Sequence, residues 1–334
     1  MKALVYTGPH AFEMREVADP EPQTADEVLI RVEACGICGS DMHAWHGHDE
    51  RRPAPLILGH EAVGRIADGP DAGRRVAVNP LVTCQRCEAC LSGRDNLCPE
   101  RQIISMTPRQ GAFAQLIAMP RRNLVTVPEH VGFVAAALAE PLACGWHATR
   151  LASTALFRPL AEARALVIGG GAIGLGAALS LIRRGVGEIW LAETNEQRHG
   201  ALKAAGEGAI CVFSPRAKAA PRPNTFDLVV EAVGHAATRA MASAMVKSGG
   251  VIAHIGLKEG SGGLDIRRMT LQEITFIGTY TYTAQDFRET AAAIFEGSLG
   301  TLDWADVRPL SDGPAAFAAI DAGSASAPKI ILTP

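Results

Sequence analysis

The sequence predicts an α/β chain of two domains, one of them a doubly wound parallel sheet. Three observations carry that expectation. At 334 residues the chain exceeds what one ordinary core organises. Residues 165 to 182, "ALVIGGGAIGLGAALSLI", read as an apolar strand, a glycine-rich turn and a helix. Beyond them, short β-rich apolar runs bounded by glycine recur up to residue 280, as buried parallel strands do. Apolar residues make up 48% and charged residues 20%, the balance of a soluble globular protein.

The opening segment, "MKALVYTGPHAF", reads as a strand and a turn, with no secretory apolar region or cleavage site. That places the chain in the cytoplasm and its eight cysteines in a reducing compartment, where clustered thiols point to metal before disulfide. A net charge of −3 gives no electrostatic reason to expect nucleic acid or an anionic membrane as partner. Residues 165 to 182 reach the length of a membrane span, but their five glycines suit a buried strand, turn and helix better.

Two neighbouring stretches then hold candidate ligands: "CGICGSDMHAWHG" at 35 to 47 and "LILGHEAVG" at 56 to 64. Cys38, His60 and Glu61 offer a thiolate, an imidazole and a carboxylate. A catalytic zinc takes three protein ligands and keeps a fourth position open. Trp45 either walls a pocket or packs in the core, and His46 and His48 read as surface residues. Next comes "TCQRCEACLSGRDNLCPE", residues 83 to 100, with Cys84, Cys87, Cys90 and Cys98 at C-x2-C-x2-C-x7-C spacing. Four thiolates close a tetrahedron around zinc and leave no position for water or substrate, so this lobe is expected to hold its loop in shape.

In the glycine-rich turn, Gly169, Gly171 and Gly174 fill G-x-G-x-x-G, with Ile173 inside the motif. The first glycine makes the turn, the second lets the backbone approach a pyrophosphate, and the third lets helix pack on strand. "EIWLAE" follows as the next strand and ends in Glu193, nineteen residues after Gly174. A carboxylate there accepts from a free ribose 2′-hydroxyl and repels a 2′-phosphate, which predicts NAD over NADP. Arg198 lies along the adenine side or is solvated. The runs 226–234, 249–257 and 273–280 complete the parallel strands. After about residue 285, "DFRETAAAIFEG" and "GPAAFAAIDAG" read as helices and "KIILTP" as a closing strand.

Together, "GICGSDMH", "GHE", the four-cysteine lobe ending in "GRDNLCP", "EPLACGWHA" and the nucleotide motif resemble the zinc-dependent medium-chain dehydrogenase/reductases, in the branch of sorbitol, galactitol-phosphate and threonine dehydrogenases. The resemblance covers essentially the whole chain. It implies a GroES-like catalytic domain over 1–145 and 285–334, discontinuous and carrying the structural zinc lobe at about 80–100, with a Rossmann domain at 146–284. It implies two zinc ions per subunit and NAD. Cys38, His60 and Glu140 would lie at the catalytic zinc with Glu61 as an exchangeable ligand, and Cys144 is the rival of Glu140. Ser40 and His43 match a proton relay through the cofactor ribose, and Asp41 would orient the site. The implied reaction is hydride transfer between NAD and a secondary alcohol of the polyol, sugar-alcohol or sugar-phosphate type, in a homodimer or homotetramer.

Departures from the branch bear on substrate. Ala44 stands where sorbitol dehydrogenases have a tyrosine, and Thr281 where they have an arginine; both argue against sorbitol itself. The stretch "VGRIADGPDAGRRVAV" is shorter than the usual family segment. Two other classes fit the fold: an NADPH-dependent carbonyl or quinone reductase, and a regulatory relative without activity. The retained ligand, relay and nucleotide motifs speak against both.

Overall fold

The computed structural model describes residues 1–217 and 220–334 and divides into two compact units. The first comprises Met1–Glu140, Thr283–Glu296 and Ala305–Pro334; the second comprises Pro141–Tyr282 and Gly297–Trp304. The division thus falls within the helix Ala139–Ala155 rather than after residue 145. Residues 297–304, placed by the sequence with the first unit, belong to the second. The reason is local: Gly300 packs beside the Ala205 carbonyl, at the end of the helix His199–Ala205.

The first unit is mostly antiparallel. Its largest sheet runs in the order Leu124–Thr126, Arg75–Val78, Glu61–Ile66, Glu27–Gly36, Lys329–Thr333, Ala305–Pro309, with Leu116–Pro120 also on Glu27–Gly36. Alternation explains these strands: in Glu27–Gly36 the residues Val28, Ile30 and Val32 turn inward, and past a register shift Cys35 joins them. They close on a core that includes Leu4, Leu58, Phe113, Met119 and Phe317. Trp45 belongs to that core, its ring 6.1 Å from Phe317, so packing is its role.

Register is what positions the site. Gly36 pairs with Glu61 on one side and with Ile331 on the other. The end of the central strand, the start of its neighbour and the C-terminal strand therefore converge. The helix Gly39–Trp45 starts directly after this strand end.

The second unit is a six-stranded parallel sheet in the order Ile210–Phe213, Glu188–Ala192, Arg164–Ile168, Phe226–Glu231, Val246–His254, Thr275–Gly278. By chain order this is 3-2-1-4-5-6, the doubly wound arrangement that binds dinucleotides where strand order reverses. Leu166, Val229 and Ile252 fill its core. Among the described residues, no helix is long and apolar enough to cross a membrane.

Candidate active site and metal centres

Cys38 stands at the N-terminus of the helix Gly39–Trp45, and Asp41 in the first turn folds back to accept from the Cys38 amide at 3.0 Å. The other Asp41 oxygen accepts from the Gly59 amide at 3.2 Å and lies 3.5 Å from His60 Nδ1. One buried carboxylate thus fixes both ligand-bearing loops, the orienting role the resemblance implies for it. Burial pushes Asp41 upward, but the His60 imidazole, the Arg52 charge and the Cys38 amide hold it below its usual value. Ser105 Oγ also meets His60 Nδ1, at 3.3 Å. Both partners engage the same ring nitrogen, which leaves Nε2 for a metal. Burial disfavours the charged His60, yet Asp41 and Cys38 more than offset it and raise its pKa well above the ordinary range.

The ligand atoms of Cys38, His60 and Glu61 all lie within 4.8 Å of one another. Glu61 is fully enclosed. Its Oε1 accepts from Lys329 Nζ at 2.6 Å, whereas its Oε2 is buried with no hydrogen-bond partner. An orphaned carboxylate oxygen beside a thiolate and a free imidazole nitrogen fits a cation. Three protein ligands leave a tetrahedral ion one open position.

Glu140 does not enter this cluster of mutually close atoms. It is buried in the first turn of the helix Ala139–Ala155, near enough for its charge to help raise the Lys329 pKa. Cys144 is buried as well. Glu61 is thus the carboxylate that the geometry groups with Cys38 and His60. Sequence reading missed Lys329, Ser105 and Arg52. The one available signal was a lysine opening the otherwise apolar "KIILTP" strand.

Ser40 and His43 share the helix that follows Cys38, and both are half-buried. Ser40 Oγ accepts from Arg52 Nη2 at 3.4 Å. The His43 ring lies edge-on to His48 with centroids 5.5 Å apart. His46 pairs with Asp321 at 2.8 Å.

The four-cysteine lobe is preformed. Its sulfurs lie within 4.8 Å of one another, with Cys84 and Cys90 3.9 Å apart and Cys87 and Cys90 3.5 Å apart. Sulfurs placed tetrahedrally 2.3 Å from zinc stand about 3.8 Å apart. The backbone amides of Arg86 and Cys87 hold the Cys84 thiol down to about 7, while burial and neighbouring thiols push Cys90 up to about 12. Protons crowded onto adjacent sulfurs are what a dication displaces on binding.

In the second unit Gly169 has φ +103°, and a Cβ on Gly174 would stand 1.9 Å from the Gly169 carbonyl oxygen, so both positions require glycine. Gly171 caps the helix Ala172–Arg183, with Ile173 half-buried in its first turn. Glu193 is buried and folded back onto this turn, accepting from Gly170 N at 2.9 Å and Asn195 N at 2.7 Å. Arg198 Nη1 lies 4.0 Å from its Oε2, so that arginine sits beside the acid instead of out in solvent.

These features define an α/β protein with one open and one closed cluster of metal-binding side chains and a dinucleotide turn. Residues 24–129 match the alcohol dehydrogenase GroES-like domain, and residues 172–296 the zinc-binding dehydrogenase domain. Sorbitol dehydrogenase of Bacillus subtilis (strain 168) is 34% identical over 297 residues, which cover 84% of this chain and 82% of that protein. L-galactonate-5-dehydrogenase of Escherichia coli (strain K12) is 29% identical over 311 residues, covering 90% and 88%. A zinc-binding dehydrogenase from Sinorhizobium meliloti 1021, solved with NADP, superposes with a TM-score of 0.84 at 26% identity, over 100% of this chain and 99% of that one. Galactitol-1-phosphate dehydrogenase from Escherichia coli shares the fold, with a TM-score of 0.87 at 23% identity over all of both chains. The chain belongs to the zinc-dependent medium-chain dehydrogenase/reductase family.

Proposed function

We propose that this protein is an NAD-linked zinc dehydrogenase that moves a hydride between the cofactor and a secondary alcohol of the polyol or sugar-alcohol type. The observation that carries the reading is the open cluster of Cys38, His60 and Glu61, with an orphaned Glu61 oxygen and the opposite face of His60 already braced. Zinc, when bound there, supplies a Lewis acid that lowers the pKa of the substrate hydroxyl. Cys38 and His60 would hold it, with Glu61 as an exchangeable third ligand whose other oxygen pairs with Lys329, and Glu140 stands close by. Ser40 Oγ takes the proton released by the alcohol, and His43 passes it toward solvent. Cys84, Cys87, Cys90 and Cys98 hold a second, structural zinc.

Gly169 makes the turn and Gly174 lets helix pack on strand, so that the helix-start amides, those of Gly171 and Ile173 among them, face the cofactor pyrophosphate, and Glu193 accepts from the adenosine ribose. The amides of Gly170 and Asn195 orient that carboxylate and leave lone pairs for ribose hydroxyls. Arg198 beside it is the one feature that favours NADP, the cofactor bound by the Sinorhizobium protein.

By the resemblance, two departures argue against sorbitol itself. Ala44 is fully buried and offers no polar group. Thr281 keeps a buried hydroxyl that has no hydrogen-bond partner. We place the enzyme in the cytoplasm, since metal-binding thiols must stay reduced. We also assign it a homo-oligomeric state. Thr275–Gly278 is an edge strand that exposes Phe276, and Leu257, Ile266 and Leu271 are exposed elsewhere on the same unit. The catalytic zinc domain is the first unit, Met1–Glu140 with Thr283–Glu296 and Ala305–Pro334.

The test is NAD and NADP reduction over sorbitol, xylitol, L-idonate, L-galactonate and galactitol 1-phosphate, with zinc measured alongside. Two zinc ions per subunit and NAD-linked oxidation of at least one of these are expected. A zinc-free protein that reduces quinones with NADPH would overturn the proposal.

A further inference from the structure

Arg52 is a buried cation that neither metal cluster uses. Its side chain is 1% exposed and that of its partner Asp49 4%, with Nη1 2.5 Å from Asp49 Oδ2. Burial works against Asp49, but hydrogen bonds from Arg51 and the Arg52 charge hold it down to about 2, so the pair stays ionised. A pair so enclosed contributes little net stability, because desolvating both charges cancels much of their attraction.

The remaining donors of Arg52 indicate what else it does. Nε donates to the Ser105 carbonyl at 2.9 Å, Nη1 reaches the Ser40 carbonyl at 3.5 Å, and Nη2 reaches Ser40 Oγ at 3.4 Å. Ser105 in turn braces His60 through its hydroxyl. One planar guanidinium thus joins the hydroxyl assigned to proton transfer with the segment that fixes a metal-binding imidazole.

We propose that Arg52 is a positioning residue for proton transfer, acting through the Ser40 hydroxyl. This rests on the relay reading of Ser40 given above. A guanidinium accepts no hydrogen bond, so the Ser40 proton cannot turn toward it. Arg52 occupies one lone pair of Oγ. The other lone pair and the O–H remain for the two ends of the relay. During oxidation the alcohol O–H breaks and its proton bonds to Ser40 Oγ. Ser40 releases its own proton outward, the hydride leaves for NAD, and Arg52 gains and loses nothing. Without this donor, Ser40 would spread over rotamers and bond to nearby carbonyls instead. Lysine cannot replace it, since a point charge does not span Asp49, the Ser105 carbonyl and Ser40 together.

The test is a double-mutant cycle on the zinc-loaded enzyme with NAD and the fastest substrate of the panel. Ser40→Ala is measured first. Arg52→Lys and Arg52→Gln follow, each alone and combined with Ser40→Ala. Arg52→Lys should lower kcat about tenfold, with the KM for NAD and the zinc content unchanged, and should shift the pH profile of kcat as Ser40→Ala does. In the Ser40→Ala background the same change should cost less than about twofold. Equal losses in both backgrounds, or no loss in the parent, would overturn the proposal. Should Arg52→Gln unfold or shed zinc, Arg52→Lys, which keeps the charge facing Asp49, carries the test. A parental rate in Ser40→Ala alone would overturn the relay itself, and is read before Arg52 is changed.

Discussion

With no zinc at the open cluster, replacing Lys329 with Met leaves the Glu61 carboxylate without a counter-charge in the interior of the first unit. Glu61 is 0% exposed and Lys329 5%, with Nζ 2.6 Å from Oε1. The same ammonium donates to the Ile37 carbonyl at 2.8 Å. Methionine restores the apolar stem but neither interaction. Removing one member of a buried pair costs about 3–5 kcal/mol, because the remaining charge is left uncompensated. At about 2–4 °C per kcal/mol for a unit of this size, the thermal midpoint should fall by about 10 °C. Calorimetry on protein of known zinc content reads this directly. Lys329→Met/Glu61→Gln should regain most of the loss, since no bare charge remains. The pH dependence has a definite sign. Burial alone would lower the Lys329 pKa, but the charges of Glu61, Cys38 and Glu140 raise it above its ordinary value. A raised folded-state pKa means stability that is fully present below about 10.4, the unfolded value, and lost as pH climbs through the folded one. The gap between parent and variant should therefore be level from about pH 6 to 9. A single variant within 1 °C of the parent (roughly, by the same scaling), or a double variant no better than the single, refutes the reasoning.

Cys87→Ser should lose about one zinc per subunit and melt earlier, as metal content and calorimetry will report; full zinc content would remove the structural role of the lobe. A Cβ on Gly36 would stand 1.9 Å from Glu61 Oε2, so Gly36→Ala should drive that carboxylate off its place. It should cost about 1–3 kcal/mol and most of the turnover, which denaturant titration and steady-state kinetics measure. Parental NAD use should exceed NADP use by about a hundredfold in kcat/KM, and Glu193→Ala should narrow the gap; NADP equal to NAD in the parent defeats the ribose assignment. Light scattering should find a dimer or tetramer that Phe276→Lys weakens, and a parental monomer would end that proposal.

What the sequence made legible was what is local. C-x2-C-x2-C-x7-C gathers its thiols within fifteen positions, and Gly169, Gly171 and Gly174 carry their backbone requirement in their identity. Short apolar runs sufficed for five of the six parallel strands, but the edge strand Ile210–Phe213 went unread. The surroundings of the open cluster were hidden for the opposite reason. Glu61 meets its counter-ion 268 residues away, and Arg52 reaches the Ser105 carbonyl across 53. No periodicity links such positions; the register of antiparallel strands brings Glu61 to Lys329, and loop packing brings Arg52 to Ser105. Glu193 shows the same limit on a smaller scale. Its place at a strand end was readable, but not its return to the Gly170 amide or the closeness of Arg198. The loop 297–304 was misplaced because its packing against Ala205 leaves no trace in local pattern.

The strand Lys329–Thr333 fixes the order in which a growing chain can finish its parts. Every strand of the parallel sheet lies between residues 164 and 278, so that sheet can close while Lys329–Thr333 is still inside the ribosome. The antiparallel sheet cannot close then. At 5–20 residues per second, Glu61 emerges roughly 15 to 50 s before Lys329 does. Through that interval the nascent sheet has an open edge at Cys35–Gly36 and a carboxylate without its ammonium. Vectorial synthesis therefore assembles this molecule from the middle outward. A fragment ending at residue 140 would contain Cys38, His60, Glu61 and all four lobe cysteines, yet it would lack the strand that closes the sheet around them.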